Sequence, residues 1–304
     1  MGAGRAGSSV DSPGRTAMTA LIPQTDSRLY RHAFMIRSRA DFPDGFESPE
    51  KPIDFRFAVF LPAPVRGRSG AGAATPTVLS ICCGQLGIQR HYSLRERPIW
   101  ISLVDLRVVE SARFLLCAWL RLVFKGLQRM VPYHARNSAV VDQLLAALRQ
   151  EWLSGPAVRP QPELPREPLS FGSPLNFKFQ QAESAELDHG ETVAIRFFSP
   201  ATASPRGRFS RGERWSPSDL LAIADRRVLW ITDRYEGTYA RYGTCWSYAR
   251  RDALRRVSLA PVRPGCELRF TFADRLSWSI RLAPGIREQA ERFVEQVRVL
   301  CRSN

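Results

Sequence analysis

Lysine is nearly absent from this chain: of its 44 Lys+Arg residues only Lys51, Lys125 and Lys178 are lysine. Asparagine is as scarce, at Asn137, Asn176 and Asn304. Depletion of both is the imprint of GC-rich coding, so the arginine content is by itself weak evidence of selection for an anionic ligand. Six cysteines in 304 residues are too few for a disulfide scaffold. They form no C-x-x-C pair, and His32, His91, His134 and His189 stand far apart, which excludes the usual zinc spacings. Neither a G-x-S-x-G elbow nor a phosphate-binding P-loop occurs. Gly2, Gly4 and Gly7 have the spacing of a dinucleotide fingerprint, but no strand precedes them and no apolar helix follows. The longest apolar run, 114–124, is broken by Arg121 and falls short of the about 20 residues of a bilayer crossing. It reads as a buried strand or helix. The first 17 residues lack the apolar centre of a signal peptide, with Met18 as an alternative start. The expectation is a cytoplasmic protein with reduced thiols and no cofactor.

What is present suffices for a folded protein. Apolar residues are 44% and charged residues 24%, a globular composition, and 304 residues suggest two domains. The net charge of +15 is not in a tail. Residues 1–50 carry six basic and six acidic side chains, and 154–186 carry three and four. Residues 51–153 (14 against 6) and 187–304 (21 against 13) each hold an excess of 8. The excess therefore belongs to the two folded blocks.

Those blocks repeat one another. Phe55-Arg56-Phe57 recurs as Ile195-Arg196-Phe197, and Arg66-Gly67-Arg68 recurs at the same offset as Arg206-Gly207-Arg208. Thr75-Pro76 returns as Ser216-Pro217, and Leu79-Ser80-Ile81 as Leu221-Ala222-Ile223. Leu120 to Phe124 returns as Leu268 to Phe272, and the apolar positions of the two closing helices align as well, Val141 with Ala290 and Leu148 with Val297. The offset only rises along the chain, as a few loop insertions would produce.

Each block reads as several strands followed by one helix. In the second, 193–198, 219–223, 228–231, 242–248 and 254–259 are strand candidates, with a polar turn at 224–227. Residues 267–272 and 276–282 form a hairpin across Ala273-Asp274-Arg275. Leu268, Phe270 and Phe272 alternate with Arg269 and Thr271, the period of a half-buried antiparallel sheet. After Pro284-Gly285 the period changes. Ile286, Ala290, Phe293, Val294, Val297 and Cys301 fall on one helical face, with charged residues opposite. The first block ends likewise in a helix over 138–153, with Asn137 or Ser138 as N-cap.

The segment Asp219-Leu220-Leu221-Ala222-Ile223-Ala224-Asp225-Arg226-Arg227-Val228-Leu229-Trp230-Ile231 resembles the second and third strands of bacterial PH-like and GRAM-like domains. Gly243 to Tyr248, continuing through Leu254 to Val257, is similar to the next strand and the turn after it. The resemblance covers most of 187–304 and, through the repeat, 51–153. It implies a mainly β (α+β) chain of two PH-like bent antiparallel β-barrels, each closed by a C-terminal amphipathic helix. It also implies binding of lipid or protein rather than catalysis. The expected organisation is a largely disordered segment 1–50, a first domain 51–153, a Pro-rich linker 154–186 and a second domain 187–304. The linker reading rests on six prolines between Ser154 and Pro174.

Candidate chemistry is sparse. Vicinal Cys82-Cys83 sits in a strand candidate and reads as core filler, with a redox role as the alternative. Asp225, Asp233, Asp252 and Asp274 occupy turn positions, where aspartate bonds its own backbone. His134 and His189 stand at element boundaries and read as exposed capping residues.

The constellation above background is the loop after each block's first strand. It carries Arg206, Arg208, Arg211 and Arg214, interleaved with Phe209 and Trp215, in the second block, and Arg66 and Arg68 in the first. In PH folds this loop lies at the open barrel end, where headgroups bind. Guanidinium groups there are suited to bidentate phosphate contacts. The lysine-plus-arginine pattern of the phosphoinositide-binding subset is not matched. A second cluster, Tyr235, Tyr239, Arg241 and Tyr242 with Trp246 and Tyr248, mixes the residue types that dominate protein interfaces, although half of it also fits a core.

The leading expectation is a non-enzymatic binding module for a protein partner or an anionic membrane surface. Nucleic-acid binding, which a pI of 10.4 permits, is the runner-up. An enzyme of unrecognised type, requiring a polar pocket with perturbed titratable groups, is third.

Overall fold

A computed structural model of the chain describes residues 32–43, 46, 56–63, 75–91, 98–114, 116–153, 177–187, 191–203, 214–233, 243–263 and 265–302. The first half opens with β1 (Phe34–Met35), β2 (Phe57–Leu61), β3 (Thr77–Cys82), β4 (Gln85–Arg90) and β5 (Ile99–Ser102), hydrogen-bonded in that order as an antiparallel meander. A 3-10 turn, Leu103–Asp105, leads into β6 (Leu106–Phe114), β7 (Cys117–Phe124) and β8 (Leu127–His134), and then helix α1 (Ser138–Leu153).

Helix α2 (Phe177–Glu186) precedes the second half. Its strands are β9 (Val193–Ser199), the short pair β10 (Thr202–Ala203) and β11 (Arg214–Ser216), then β12 (Asp219–Ala224), β13 (Arg227–Thr232) and β14 (Gly243–Arg250). Another 3-10 turn, Arg251–Ala253, is followed by β15 (Leu254–Pro261), β16 (Cys266–Phe272), β17 (Ser277–Leu282) and helix α3 (Arg287–Arg302).

The second half copies the first in order and in detail. Apart from β1 and the short pair β10–β11, four strands, a one-turn 3-10 segment, three strands and a helix recur in sequence. The pairing of β6 with β7 shifts register between Leu106 and Val108, and that of β15 with β16 shifts between Leu254 and Arg256, the equivalent place in the second copy. The amide of Leu103 donates to the Gly84 carbonyl at 2.8 Å; its counterpart Arg251 donates to Arg226 at 2.9 Å. A shared β-bulge and a shared long-range hydrogen bond are not composition effects, because each depends on a backbone path.

Among the described residues the chain is mainly β, with antiparallel sheets and three α-helices, and no sheet closes into the expected barrel. The first half's five-stranded meander and the second half's run of β9, β12, β13 and β14 each end at a 3-10 turn, which carries the chain onto a separate three-stranded meander. The edge of the first of these finds a partner in the other half: β6 pairs antiparallel with β14 from Val108↔Ala249 to Phe114↔Gly243. One seven-stranded sheet, β8-β7-β6-β14-β13-β12-β9, therefore runs through both halves. The halves are not two separate bodies on a spacer.

The packing follows from this sheet. Alternate residues of β12, β13 and β14 go to opposite sides, as a period of two requires. Leu221, Ile223, Val228 and Ala249 join Phe270, Phe293 and Val297 in one core beneath β15–β17 and α3. Leu220, Ala222, Leu229, Ile231, Trp246 and Tyr248 join Leu120, Leu145, Leu148 and Trp152 in the core of the first half. The four-stranded part of the second half is thus buried on both faces, and the first half's core is completed by the second. That explains the unbroken burial of β12, all six of whose residues are buried.

Several expectations for individual segments change. The hairpin 267–282 and the apolar face of α3 appear as read, with Cys266, Leu268, Phe270 and Phe272 buried on β16. Residues 154–186, read as a spacer throughout, end in α2, because Phe179 is buried against Phe198 with ring centroids 5.4 Å apart. Within 1–50, β1 extends the first meander and Ile36 is buried beside Phe60. Neither N-cap candidate acts as one: the Ser138 hydroxyl donates to the Ala135 carbonyl at 2.6 Å, and the Asn137 side-chain oxygen accepts the Ala33 amide at 3.3 Å. Cys83 is not a strand residue. It occupies the β3–β4 turn at φ 47° and is exposed, while Cys82 is buried at the end of β3.

Candidate functional site

Antiparallel meanders send alternate connections to alternate ends. The β9–β12 connection (200–218) and the β13–β14 connection (233–242) therefore leave the same end of the second half's sheet. These carry the arginine cluster and the tyrosine-arginine cluster respectively. The first half repeats the layout, with Arg66 and Arg68 in the connection from β2 to β3. Arg66, Arg68, Arg206, Arg208, Arg211, Tyr235, Tyr239, Arg241 and Tyr242 lie outside the described residues; Arg214 opens β11. The remaining members of the aromatic cluster, Trp246 and Tyr248, are core residues of the fused sheet.

The rim from which the two connections depart is polar and rigid. Register places Ser199, Asp219, Thr232 and Cys245 side by side across β9, β12, β13 and β14, and all four are buried. The Trp230 indole N–H donates to Asp219 Oδ1 at 2.9 Å. Just beyond, the Ser218 amide donates to Asp233 Oδ1 at 2.7 Å, the Asp233 amide donates to the Ser218 carbonyl at 3.2 Å, and the Ala201 amide donates to the Ser218 hydroxyl at 3.1 Å. Lys178 of α2 donates to the Gly243 carbonyl at 2.8 Å, fixing the start of β14. Gly243 is required there: a Cβ would lie 1.8 Å from the Phe114 ring. The strand ends flanking both connections are thus cross-bonded to one another.

Cys245, at the end of this rim, is no nucleophile. Burial pushes its thiol well above the usual range, and the Glu110 carboxylate, 3.7 Å from Sγ, pushes in the same direction. Glu110 is in turn paired with Arg121. The thiol stays protonated at neutral pH, whereas reactivity belongs to the thiolate.

A set of buried charges escaped the sequence reading. Arg227 is fully buried, with its Nε donating to Glu191 Oε1 at 3.1 Å. Arg149 of α1 pairs with Glu186 of α2 at 2.9 Å, with side chains 8% and 9% exposed. Arg196 of β9 pairs with Glu183 of α2 at 2.6 Å. Both Arg149 and Arg227 stand 5.8 Å from the centre of the Tyr248 ring, whose phenol burial pushes far above its ordinary value. The readable signal was the i, i+3 spacing of Glu183 and Glu186 behind Phe179, one turn of a helix with an apolar anchor. This network ties α1, α2 and the second sheet into one body. It is a clamp rather than a reactive centre, since every charge in it faces an opposite charge or a ring.

No group of three or more metal-ligating side chains is found among the described residues, and no helix among them is long and apolar enough to cross a membrane. A scan against protein-family models matches none, and a search of curated proteins returns no significant match.

Proposed function

We propose that the chain is a non-enzymatic binding module of duplicated PH-like build, whose arginine-bearing connections dock on an anionic surface, either a membrane's inner leaflet or an acidic protein. The observation that carries this reading is the shared end of the second sheet. The connections bearing Arg206, Arg208, Arg211 and Arg214 and those bearing Tyr235, Tyr239, Arg241 and Tyr242 leave it together, from a rim held by the Ser218–Asp233 bonds. The repeated order of four strands, three strands and a helix supports the PH-like assignment. The equal positive excess of the two halves supports an acidic partner.

Guanidinium groups bind phosphate and carboxylate through paired N–H donors, and each basic residue near an anionic leaflet contributes about 1 kcal/mol. Co-sedimentation with phosphatidylserine-containing vesicles at low salt should therefore pellet the protein, and vesicles of phosphatidylcholine alone should not. Replacing Arg206, Arg208 and Arg211 by Gln should weaken binding about fivefold for each residue removed. Equal pelleting by neutral vesicles, or no effect of the triple variant, rejects arginine-loop docking. Loss of pelleting together with retained capture by an acidic protein assigns the surface to a protein partner.

A further inference from the structure

The duplication leaves one half of an internal interface unused at each end of the chain, and its two unused halves complement one another. In the first half, β14 lies along the edge of β6 and against α1. Arg113 lies over the Trp246 ring at 4.8 Å and pairs with Asp142, and Arg149 lies over Tyr248. The counterpart of β6 is β15, which likewise follows the 3-10 turn, and the counterpart of α1 is α3, the closing helix. Where Trp246 of β14 sits in the first half, the second half has a cleft of about 300 Å³. Its lining includes Leu259, Pro261, Glu291, Val294 and Arg298, the counterparts of Ser111, Arg113, Asp142, Leu145 and Arg149.

The second seat is more exposed than the first, although α3 itself packs along β15 there. Ser111 and Ala112 are fully buried under β14, whereas their counterparts are half-buried Leu259 and exposed Ala260. Arg149 has a side chain 8% exposed and Arg298 one 50% exposed. The Val262 amide donates to the Gly265 carbonyl, so hydrogen-bonded pairs of β15 with β16 alternate from there. Val257 and Leu259 therefore turn their backbone groups to the free edge.

The matching strand is β5, the counterpart of β14. Register fixes the equivalence: Trp100 stands opposite Gly87 as Tyr248 stands opposite Leu229. Among the described residues β5 is likewise a sheet edge. Ile99 is exposed and Trp100 only half-buried, its ring over Gly87, where a Cβ would meet it at 2.8 Å. In the second half, α1 covers Tyr248; over Trp100 the described residues supply no helix.

We propose that β5 of one copy of this chain docks antiparallel on β15 of a second copy, with Pro98 facing the cleft and Trp100 beside α3 under the Arg298 guanidinium. The internal β6–β14 pairing dictates the register: Trp100 opposite Val257 and Ile101 opposite Arg256. The contact is heterologous, so each added copy leaves a free β5 at one end and a free β15 at the other, and growth stops only where those ends meet in a ring. β5 is four residues long and Pro261 has no N–H to offer, so the contact is weaker than the internal one. This inference is independent of the docking loops, and its test contains no lipid.

Sedimentation velocity of the full chain across a wide concentration range, at physiological salt, reads the assembly. The mass should rise from 34.3 kDa without stopping at a dimer. Trp100→Glu, which blocks the β5 side, and Leu259→Pro, which removes an outward donor without touching the β16 ladder, should each remain monomeric. Their equimolar mixture should form a heterodimer and nothing larger, since each supplies the intact half the other lacks. Arg298→Glu, an exposed replacement, serves if Leu259→Pro fails to melt like the parent chain, and should behave identically. A parent chain that stays monomeric overturns the proposal. So does assembly untouched by these substitutions, or a mixture of well-folded variants that stays monomeric.

Discussion

Cys245 shows how far a single position departs from what its residue type suggests. The chain's thiols look alike in sequence, yet this one faces Glu110 inside the fused sheet, and burial followed by that carboxylate raises its pKa. The consequence for stability has a definite sign. Unfolding returns the thiol to its ordinary range, near about 8.5, so the unfolded chain loses the proton first as pH rises. The stabilising contribution is complete below that pH and declines above it, by up to about 1.4 kcal/mol per pH unit. Denaturant unfolding between neutral pH and about pH 9.5 should show a steeper loss for the parent than for Cys245→Ala. Parallel curves would mean that the thiol is exposed to solvent and that the β6–β14 seam is looser than described.

At the scale of elements, α2 is the informative piece. It has little amphipathic pattern of its own, but it holds Glu183 and Glu186 against arginines from β9 and α1 and inserts Phe179 beside Phe198. Breaking a buried ion pair from one side costs about 3–5 kcal/mol, because the remaining charge stays buried, whereas an apolar replacement of both partners costs far less. Glu186→Gln should therefore lower unfolding free energy by about that amount, and Arg149→Met with Glu186→Leu should recover most of it. Additive losses in that double variant would remove the clamp from the account. This element was illegible because six nearby prolines marked the whole stretch as spacer, and only the anchor at Phe179 and the Glu183–Glu186 spacing spoke against it. By contrast, α3 and the hairpin β16–β17 were readable residue by residue, since Phe270, Phe293 and Val297 bury on one side and their neighbours do not. Local period carries such information; partner choice between distant elements does not.

For the whole molecule the repeat was legible and its consequence was not. The steadily rising offset between matching segments foretold two copies of one plan, and the shared bulge at Leu106 and Leu254 bears that out. What it did not foretell is that β6 pairs with β14 across about half the chain. The hint lay in composition: β6 buries residues on both faces, Val109 toward α1 and Val108 toward α3, as a central strand must. The candidate site divides the same way. Which connections share an end followed once the meander was known, while Trp246 and Tyr248 left the interface cluster because the seam between the halves claimed them.

The continuous sheet is the claim on which the rest depends, and a pair of engineered cysteines measures it. Glu110 and Ser247 stand directly opposite each other on β6 and β14 in a pair whose own backbone groups turn to the outer neighbours, where the Cα atoms come within disulfide reach. Glu110→Cys with Ser247→Cys, in a Cys245→Ala background because Cys245 also faces position 110, oxidised and mapped by peptide mass spectrometry, should give a 110–247 crosslink in nearly all molecules. The shifted pair Glu110→Cys with Ala249→Cys should give little. A crosslink absent from the first pair, or as abundant in the second, would contradict a sheet shared by the two halves.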